Sequence, residues 1–173
     1  MKDKGKLLEM LMDELKDAEE IQDMSLFTAE ELESPMDVVR AMIVEMGTEL
    51  TDALGEFFFL PLENEEMLYF VSSILILEDI PVDRQTDLAV AAAGLNALIP
   101  CGSFAMGEDG ASLVYRYTIP VPAELDEAVQ RTMLLTAVDT AIQEVDRFSS
   151  FLMLVAEGEL NVEDMKDILG KEG

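Results

Sequence analysis

The chain has 173 residues, half of them hydrophobic, with 37 acidic and 11 basic side chains and a formal net charge of −26. This length predicts one domain with a substantial core. The excess of carboxylates argues against a nucleic-acid partner, because that affinity comes mainly from neutralising phosphates with Lys and Arg. The sequence has no His and one Cys, which excludes Ser-His-Asp and Cys-His catalysis and most zinc, copper or haem sites.

The N-terminal part predicts an amphipathic helix followed by a linker. Apolar residues recur between charges from Gly5 to Asp23, which is typical of a helix with one buried stripe. Ser25 to Ser34 is expected to be a linker with a helical turn at Thr28 to Leu32. Within that turn, Thr28 and Glu31 have the spacing of a capping box.

The sequence predicts neither a membrane span nor a signal peptide. Its apolar runs fall short of the roughly 20 residues that a span needs, and acids interrupt the whole N-terminal stretch. We therefore expect no membrane partner and a cytoplasmic location. The single Cys101 fits a reducing compartment.

Two interpretations compete for Val38 to Met46. Ser34-Pro35-Met36-Asp37 would start a helix well, and apolar residues keep helical spacing as far as Leu54. Against this, the segment is rich in β-branched residues, and Gly47 with the polar residues after it would form a turn into a next strand. We predict a strand.

Two further strands are predicted at Glu56 to Leu62 and Met67 to Leu77, joined by an acidic turn. Both carry apolar residues at odd and even positions, so both faces of each strand should be covered. We expect them at the centre of the sheet.

A helix is predicted from Asp83 to Leu98, with Asp83 as its cap and Asp87 favouring its positive end. Its small residues would let another backbone come close. This stripe is either packed on the sheet or used for self-association, and its candidate contact residues are Ala91, Ala92, Gly94 and Leu95.

A β-hairpin follows. Phe104 and Met106 begin a period of two, and the alternation resumes from Leu113 to Ile119. Gly107-Glu108-Asp109-Gly110 supplies residues suited to a tight turn. Pro120 and Pro122 are expected to end the second strand.

The last part of the chain predicts two helices. Apolar residues recur every three or four positions from Ala123 to Glu157, and Gly158 ends the pattern. An unbroken helix would be about 50 Å long in a domain about 40 Å across, so it should either bend near Ser149-Ser150 or overhang into a partner. Asn161 opens a short final helix to Leu169.

No residue pattern indicates catalysis, a cofactor or a metal. No basic neighbour in the sequence activates Cys101, and Ser103 lacks the nucleophile-elbow pattern. Glu63, Glu65 and Glu66 lack EF-hand spacing and are expected to form a solvated turn. Glu56 and Glu78, considered as a glycosidase-type acid pair, are expected at strand edges with their carboxylates in water.

With this element order in place, the chain resembles the type III secretion chaperone-like fold, in particular the YbjN-like family of uncharacterised bacterial proteins. The resemblance spans about residues 36 to 158. It is carried by EFFFLPL at Glu56 to Leu62, by the segment from Leu95-Asn96 through Cys101 to Phe104, and by LVYRYTIPV ending at Val121. It implies a dimer that binds protein segments and has no enzymatic activity.

The fold prediction is therefore α+β. An antiparallel five-stranded sheet is flanked by helices in the order α-β-β-β-α-β-β-α, with an extra short C-terminal helix. Residues 1–35 form an N-terminal helix and linker in the same domain, 36–158 the core, and 159–173 the C-terminal helix and tail.

The predicted function is a non-enzymatic protein-binding module, chaperone-like or regulatory, that holds a partner polypeptide on apolar surfaces and forms a homodimer. Two alternatives stay open. One is an acidic regulator of a basic protein partner, and the other is an enzyme that uses carboxylates alone, with or without a divalent metal.

Overall fold

The computed structural model describes residues 4–63, 66–108 and 110–169, apart from the side chains of residues 166 and 169. In chain order the described elements are α1 (Lys4–Leu15), β1 (Ile21–Phe27), β2 (Val38–Met46), β3 (Thr51–Phe59), β4 (Met67–Leu77), α2 (Gln85–Asn96), β5 (Ser103–Met106), β6 (Leu113–Pro122), α3 (Glu127–Glu157) and α4 (Val162–Leu169). The architecture is α+β, with an open antiparallel sheet flanked by helices. No described helix is both long enough and apolar enough to cross a bilayer.

The described residues form six strands, in the spatial order β1-β2-β3-β4-β6-β5, so the prediction of five strands is wrong. The additional strand is β1, which occupies residues assigned to the N-terminal helix and linker. Helix α1 ends at Leu15, and a turn in which Ala18 N–H donates to the Leu15 carbonyl leads into the strand. A bulge between Gln22 and Ser25, with Asp23 at φ 47°, interrupts the alternation that would have identified it.

The central strands follow their sequence patterns closely. The prediction of a strand at Val38–Met46 is confirmed, and β4 has the predicted bounds. Strand β3 begins at Thr51, five residues earlier than predicted, and ends before Pro61. Gly47, at φ 66°, starts the turn from β2 into β3.

Strand β6 ends at Pro122, as predicted, with Pro122 paired to Met67. Pro120 lies inside the strand, opposite Tyr69, so the prediction that Pro120 ends it is wrong. The carbonyl of Tyr69 accepts from Leu60 N–H on the β3 side. In an antiparallel ladder, two opposite residues direct their backbone polar groups either toward each other or away from each other. Because Tyr69 points toward β3, Pro120 directs its backbone nitrogen away from β4. Since β5 pairs only with the first part of β6, these prolines face a free sheet edge, where a missing N–H removes no ladder bond.

The described helices all contribute to one core on one side of the sheet. Strand side chains such as Ile43, Phe57 and Ile74 meet Leu8 of α1 and Leu88 of α2 there. The same core also contains Leu134 of α3 and Met165 of α4.

Helix α3 is a single helix of 31 residues ending at Gly158, about 46 Å long at ~1.5 Å per residue. Its buried side chains run from Gln130 to Val155, so nearly its whole length is packed, and the overhang, one of the two predicted alternatives, does not occur. Helix α2 begins two residues after Asp83, and its N-cap is Arg84, which makes no side-chain cap bond. The predicted Asp83 cap is therefore wrong, whereas Asp87 lies in the first turn as expected.

Candidate functional site

The second face of the sheet is covered by no described helix. Its buried apolar cluster consists of Val38, Phe58 and Val71. Partly buried Leu32, Met36 and Leu60, none of which lies in a described helix, pack against this cluster. The sequence predicted that both faces of the central strands would be covered, yet the described helices cover only one.

Residues paired across the strands form three rows on this face, which we call the open face. The first row is apolar in its four central strands, at Met42, Leu54, Leu75 and Val114, and it ends at Gln22 of β1 and Ala105 of β5. The second row is polar: Ser25, Arg40, Glu56, Ser73, Arg116 and Ser103. The third row is mostly apolar: Phe27, Val38, Phe58, Val71 and Thr118. A charged row thus separates two apolar rows.

Two arginines shape the electrostatics of the open face. Arg40 Nε donates to Glu56 Oε1 at 2.8 Å, and its guanidinium carbon lies 5.3 Å from the Phe27 ring centroid. Arg116 makes no ion pair with any described residue, and its guanidinium carbon lies 5.8 Å from the Phe58 ring centroid. Glu56 is the single carboxylate in the three rows, so this face is poor in acids although the whole chain is strongly acidic.

The loop after β1 covers one end of the open face. Glu31 Oε2 accepts from Thr28 N–H at 2.8 Å, and Glu31 N–H donates to Thr28 Oγ1 at 3.3 Å, which confirms the predicted capping box. The bond from the Thr28 backbone, and then that from its hydroxyl, lower the pKa of Glu31. The box fixes the turn that sets Leu32 against the apolar cluster.

The predicted contact residues of α2 lie mostly inside the chain. Ala91, Ala92 and Leu95 belong to the core, and Gly94 is half-buried. Packing on this chain's own residues was one of the two interpretations of the stripe. Contact of α2 with a second copy stays a prediction.

Polar groups meet inside the chain where the α2–β5 connection passes β6. Tyr115 Oη donates to the Cys101 carbonyl at 2.7 Å. Burial raises the pKa of Tyr115, and the negative charge of Glu144 raises it further. Burial, and then the neighbouring Cys101 side chain, also raise the pKa of Tyr117. Both phenols therefore stay protonated at neutral pH, which suits donors that hold a loop and not anionic nucleophiles.

The other candidate catalytic residues, Ser103, Glu56 and Glu78, do not form a common site. Ser103 begins β5 beside Arg116. Glu56 lies opposite Ser73, and Glu78 follows the end of β4, so the backbones of the two glutamates are roughly 16 Å apart. Glu56 is engaged in its ion pair with Arg40.

The acidic turn gives no metal site among the residues that can be described. Of its three glutamates, Glu65 lies outside the described residues. Within the described ranges, no three Cys, Asp or Glu side chains come close enough together to hold a metal ion.

The open face was not predicted from the sequence. The available signal was that the apolar residues of β3 and β4 occupy both faces, while Arg40 and Arg116 interrupt an otherwise apolar or acidic stretch. The register that aligns the two arginines with Glu56 in one row comes only from the structure.

No protein-family model matches this sequence, and no curated protein matches it either. Membership of the YbjN-like family therefore stays a prediction.

Proposed function

We propose that this protein is a non-enzymatic, homodimeric protein-binding module, chaperone-like or regulatory, in which a second copy covers the open face. One observation carries the proposal: two apolar rows of a central sheet lie on a face that no described helix covers. Strands that are apolar on both faces are normally covered on both. In a dimer, two open faces would stack as sheets do in a sandwich, about 10 Å apart.

The size of the face supports a dimer. Six strands span five spacings, and the central strands have nine to eleven residues. With ~4.8 Å between strands and ~3.3 Å per residue, the face measures at most about 24 Å by 30 Å, or roughly 700 Å², because β1 and β5 are shorter. A standard stable interface buries about 800 Å² on each partner.

The charge distribution supports the same surface. Two chains of net charge −26 repel each other, and they repel least where carboxylates are few. The open face carries Arg40, Arg116 and a single Glu56 within its rows. Two copies can therefore meet on it without bringing their main acidic surfaces together.

The fold and the location belong to the same proposal. The observed element order equals the predicted secretion chaperone-like order once β1 is set aside, which supports that fold with an added edge strand. We place the protein in the cytoplasm, where a single cysteine is typical.

The test is the mass in solution, measured by light scattering after gel filtration and by sedimentation. We expect wild type at twice the 19.2 kDa of one chain. Leu54→Glu with Leu75→Glu puts two carboxylates in the first apolar row and should give a folded monomer. The matched control, Val90→Glu with Val129→Glu, changes side chains of α2 and α3 that are 45% and 47% exposed on the helical side of the sheet and should stay dimeric.

Circular dichroism establishes that each variant is folded. If the first pair of substitutions prevents folding, the milder Leu54→Thr with Val114→Thr replaces it. A wild-type monomer at micromolar concentration would contradict the proposal. So would a folded open-face variant that remains a dimer.

A further inference from the structure

A second surface, distinct from the open face, combines an apolar floor with an acidic rim. It is a groove of about 420 Å³ between the end of α1, the start of β1, the end of β2 and the middle of α3. Ile21, Val44 and Ile142 are among the apolar residues that line it. Its volume lies within the roughly 300–1,000 Å³ typical of ligand pockets.

Carboxylates form the rim of this acid-rimmed groove: Glu20, Glu45, Asp139 and Asp146. All four side chains belong to exposed residues, and none forms an ion pair with a described Lys or Arg. No basic residue lines the groove. The rim therefore presents negative charge that the described part of the chain does not neutralise.

Backbone geometry and two hydrogen bonds fix the positions of the rim carboxylates. The register of β2 against β3 shifts between Ile43 and Met46, and Glu45 has φ 59°. Such bulges redirect side chains at functional surfaces. Gln143 Nε2 donates to Asp139 Oδ2 at 2.8 Å, and the backbone N–H of Gly47 donates to Asp146 Oδ1 at 2.9 Å.

Helix α3 places two of the rim carboxylates at a regular spacing along the groove. Asp139 and Asp146 are seven residues apart, two helical turns, so they lie on one face about 10 Å from each other. Ile142 lies between them on the same side. A helical segment with basic residues seven apart and apolar residues between them would match this pattern.

We infer that the acid-rimmed groove binds an amphipathic, Lys- and Arg-rich helical segment of a partner protein. Apolar side chains of the segment enter the groove and its basic side chains pair with the rim. The inference rests on the proposed function, since it identifies the chemistry of the polypeptide that the module holds. The open face serves the second copy, and the groove serves the partner.

The probe is a fluorescently labelled synthetic peptide of about four helical turns, with Leu at helical spacing and Lys elsewhere, titrated with the 173-residue chain at low salt. The test variant is Glu20→Gln, Glu45→Gln and Asp139→Asn. The control, Glu30→Gln, Asp87→Asn and Glu124→Gln, removes the same charge from exposed residues outside the groove. We expect about tenfold weaker binding for the test variant and a change within about twofold for the control.

Two further peptides distinguish binding in the groove from nonspecific electrostatic binding to the acidic chain. The peptide with Ser for Leu keeps its charge and should bind about tenfold more weakly, and the peptide with Glu for Lys should not bind. Equal loss of affinity in the test and control variants would overturn the inference, as would undiminished binding of the Ser peptide. The mass of each variant is measured in parallel, so that loss of the dimer and loss of peptide binding are read separately.

Discussion

Arg116 on β6 holds its guanidinium carbon 5.8 Å from the ring centroid of Phe58 on β3, two strands away across the open face. Between them on β4 lies Val71, which is fully buried although no described helix lies over it. The long side chain thus shields apolar surface while keeping its charged end in water. The chain partly covers its own open face in this way.

Replacing this side chain should weaken that cover. For Arg116→Ala we expect a loss of about 0.5–1 kcal/mol in the free energy of unfolding, the usual size of an exposed cation–π contact. Arg116→Lys keeps the charge and the aliphatic stem and should lose less. Urea unfolding followed by circular dichroism, at one fixed protein concentration, measures both. Equal losses in the two variants would show that the stacked guanidinium contributes nothing of its own.

The edge prolines of β6 are expected to prevent association through the sheet edge. Pro120 and Pro122 present no N–H to an incoming strand at the stretch of β6 that β5 leaves unpaired. Pro120→Thr with Pro122→Thr restores both donors and should increase aggregation, measured by light scattering and thioflavin fluorescence. Pro100→Thr, in the connection before β5, is the control and should leave the protein soluble. No increase in the double variant would contradict this role.

Gly158 should resist substitution. It ends α3 at φ 77°, and a Cβ placed there would lie 2.4 Å from Arg84 Nη2. Gly158→Ala should cost about 1–2 kcal/mol from the left-handed backbone alone, in addition to the displacement of Arg84. Gly94→Ala, inside α2 without a positive φ, should have the opposite sign because Ala favours helix.

Denaturant titrations of Gly158→Ala with and without Arg84→Ala separate the two costs. The double variant should regain the steric part and keep the backbone part. A Gly158→Ala protein as stable as wild type would contradict the expectation.

The sequence predicted the element order from β2 to α4 because most elements there carry a clear local pattern. Strand β4 is a run of apolar and small residues between turn signals, and the buried residues of α3 recur every three or four positions from Gln130 to Val155. Strand β1 could not be predicted, because its bulge at Asp23 breaks the alternation and its pairing with β2 is a tertiary contact. Pro120 caused another error, since which way a strand nitrogen points depends on a register that a single sequence does not contain.

Neither surface proposed here could be located in advance. The rows of the open face require the register of neighbouring strands, and the acid-rimmed groove joins residues from α1, β1, β2 and α3. Composition predicted only that acids would dominate most surfaces. The fold decides where acidic side chains are few, as on the open face, and where they surround apolar residues, as in the acid-rimmed groove.

The buried phenols should make the protein sensitive to alkali. Burial raises the pKa of Tyr115 in the folded chain, and that of Tyr117 is raised as well. Below the unfolded value of about 10 both states keep the proton, and the contribution to stability is fully present. Above it the unfolded chain releases the proton first, so stability falls as pH rises toward the folded pKa, by up to about 1.4 kcal/mol per pH unit for Tyr115.

Urea titrations from about pH 8 to about pH 11 test this, because the range brackets the unfolded tyrosine pKa. Wild type should lose stability more steeply than Tyr115→Phe. Parallel slopes for wild type and Tyr115→Phe would contradict the raised pKa. At neutral pH, Tyr115→Phe should cost about 1 kcal/mol, because the Cys101 carbonyl loses its donor.

Salt should stabilise this protein. The described ion pairs, Lys6–Glu127, Lys16–Asp13, Arg40–Glu56 and Arg131–Glu14, are all at least partly exposed, and such pairs contribute about 0–1 kcal/mol each. Repulsion among the excess carboxylates acts over the whole chain and is screened beyond about 10 Å at 0.1 M salt. The melting temperature should therefore rise between low and moderate NaCl at constant pH. A fall would mean that the ion pairs outweigh the repulsion, and an unchanged value would show that a net charge of −26 costs the fold little.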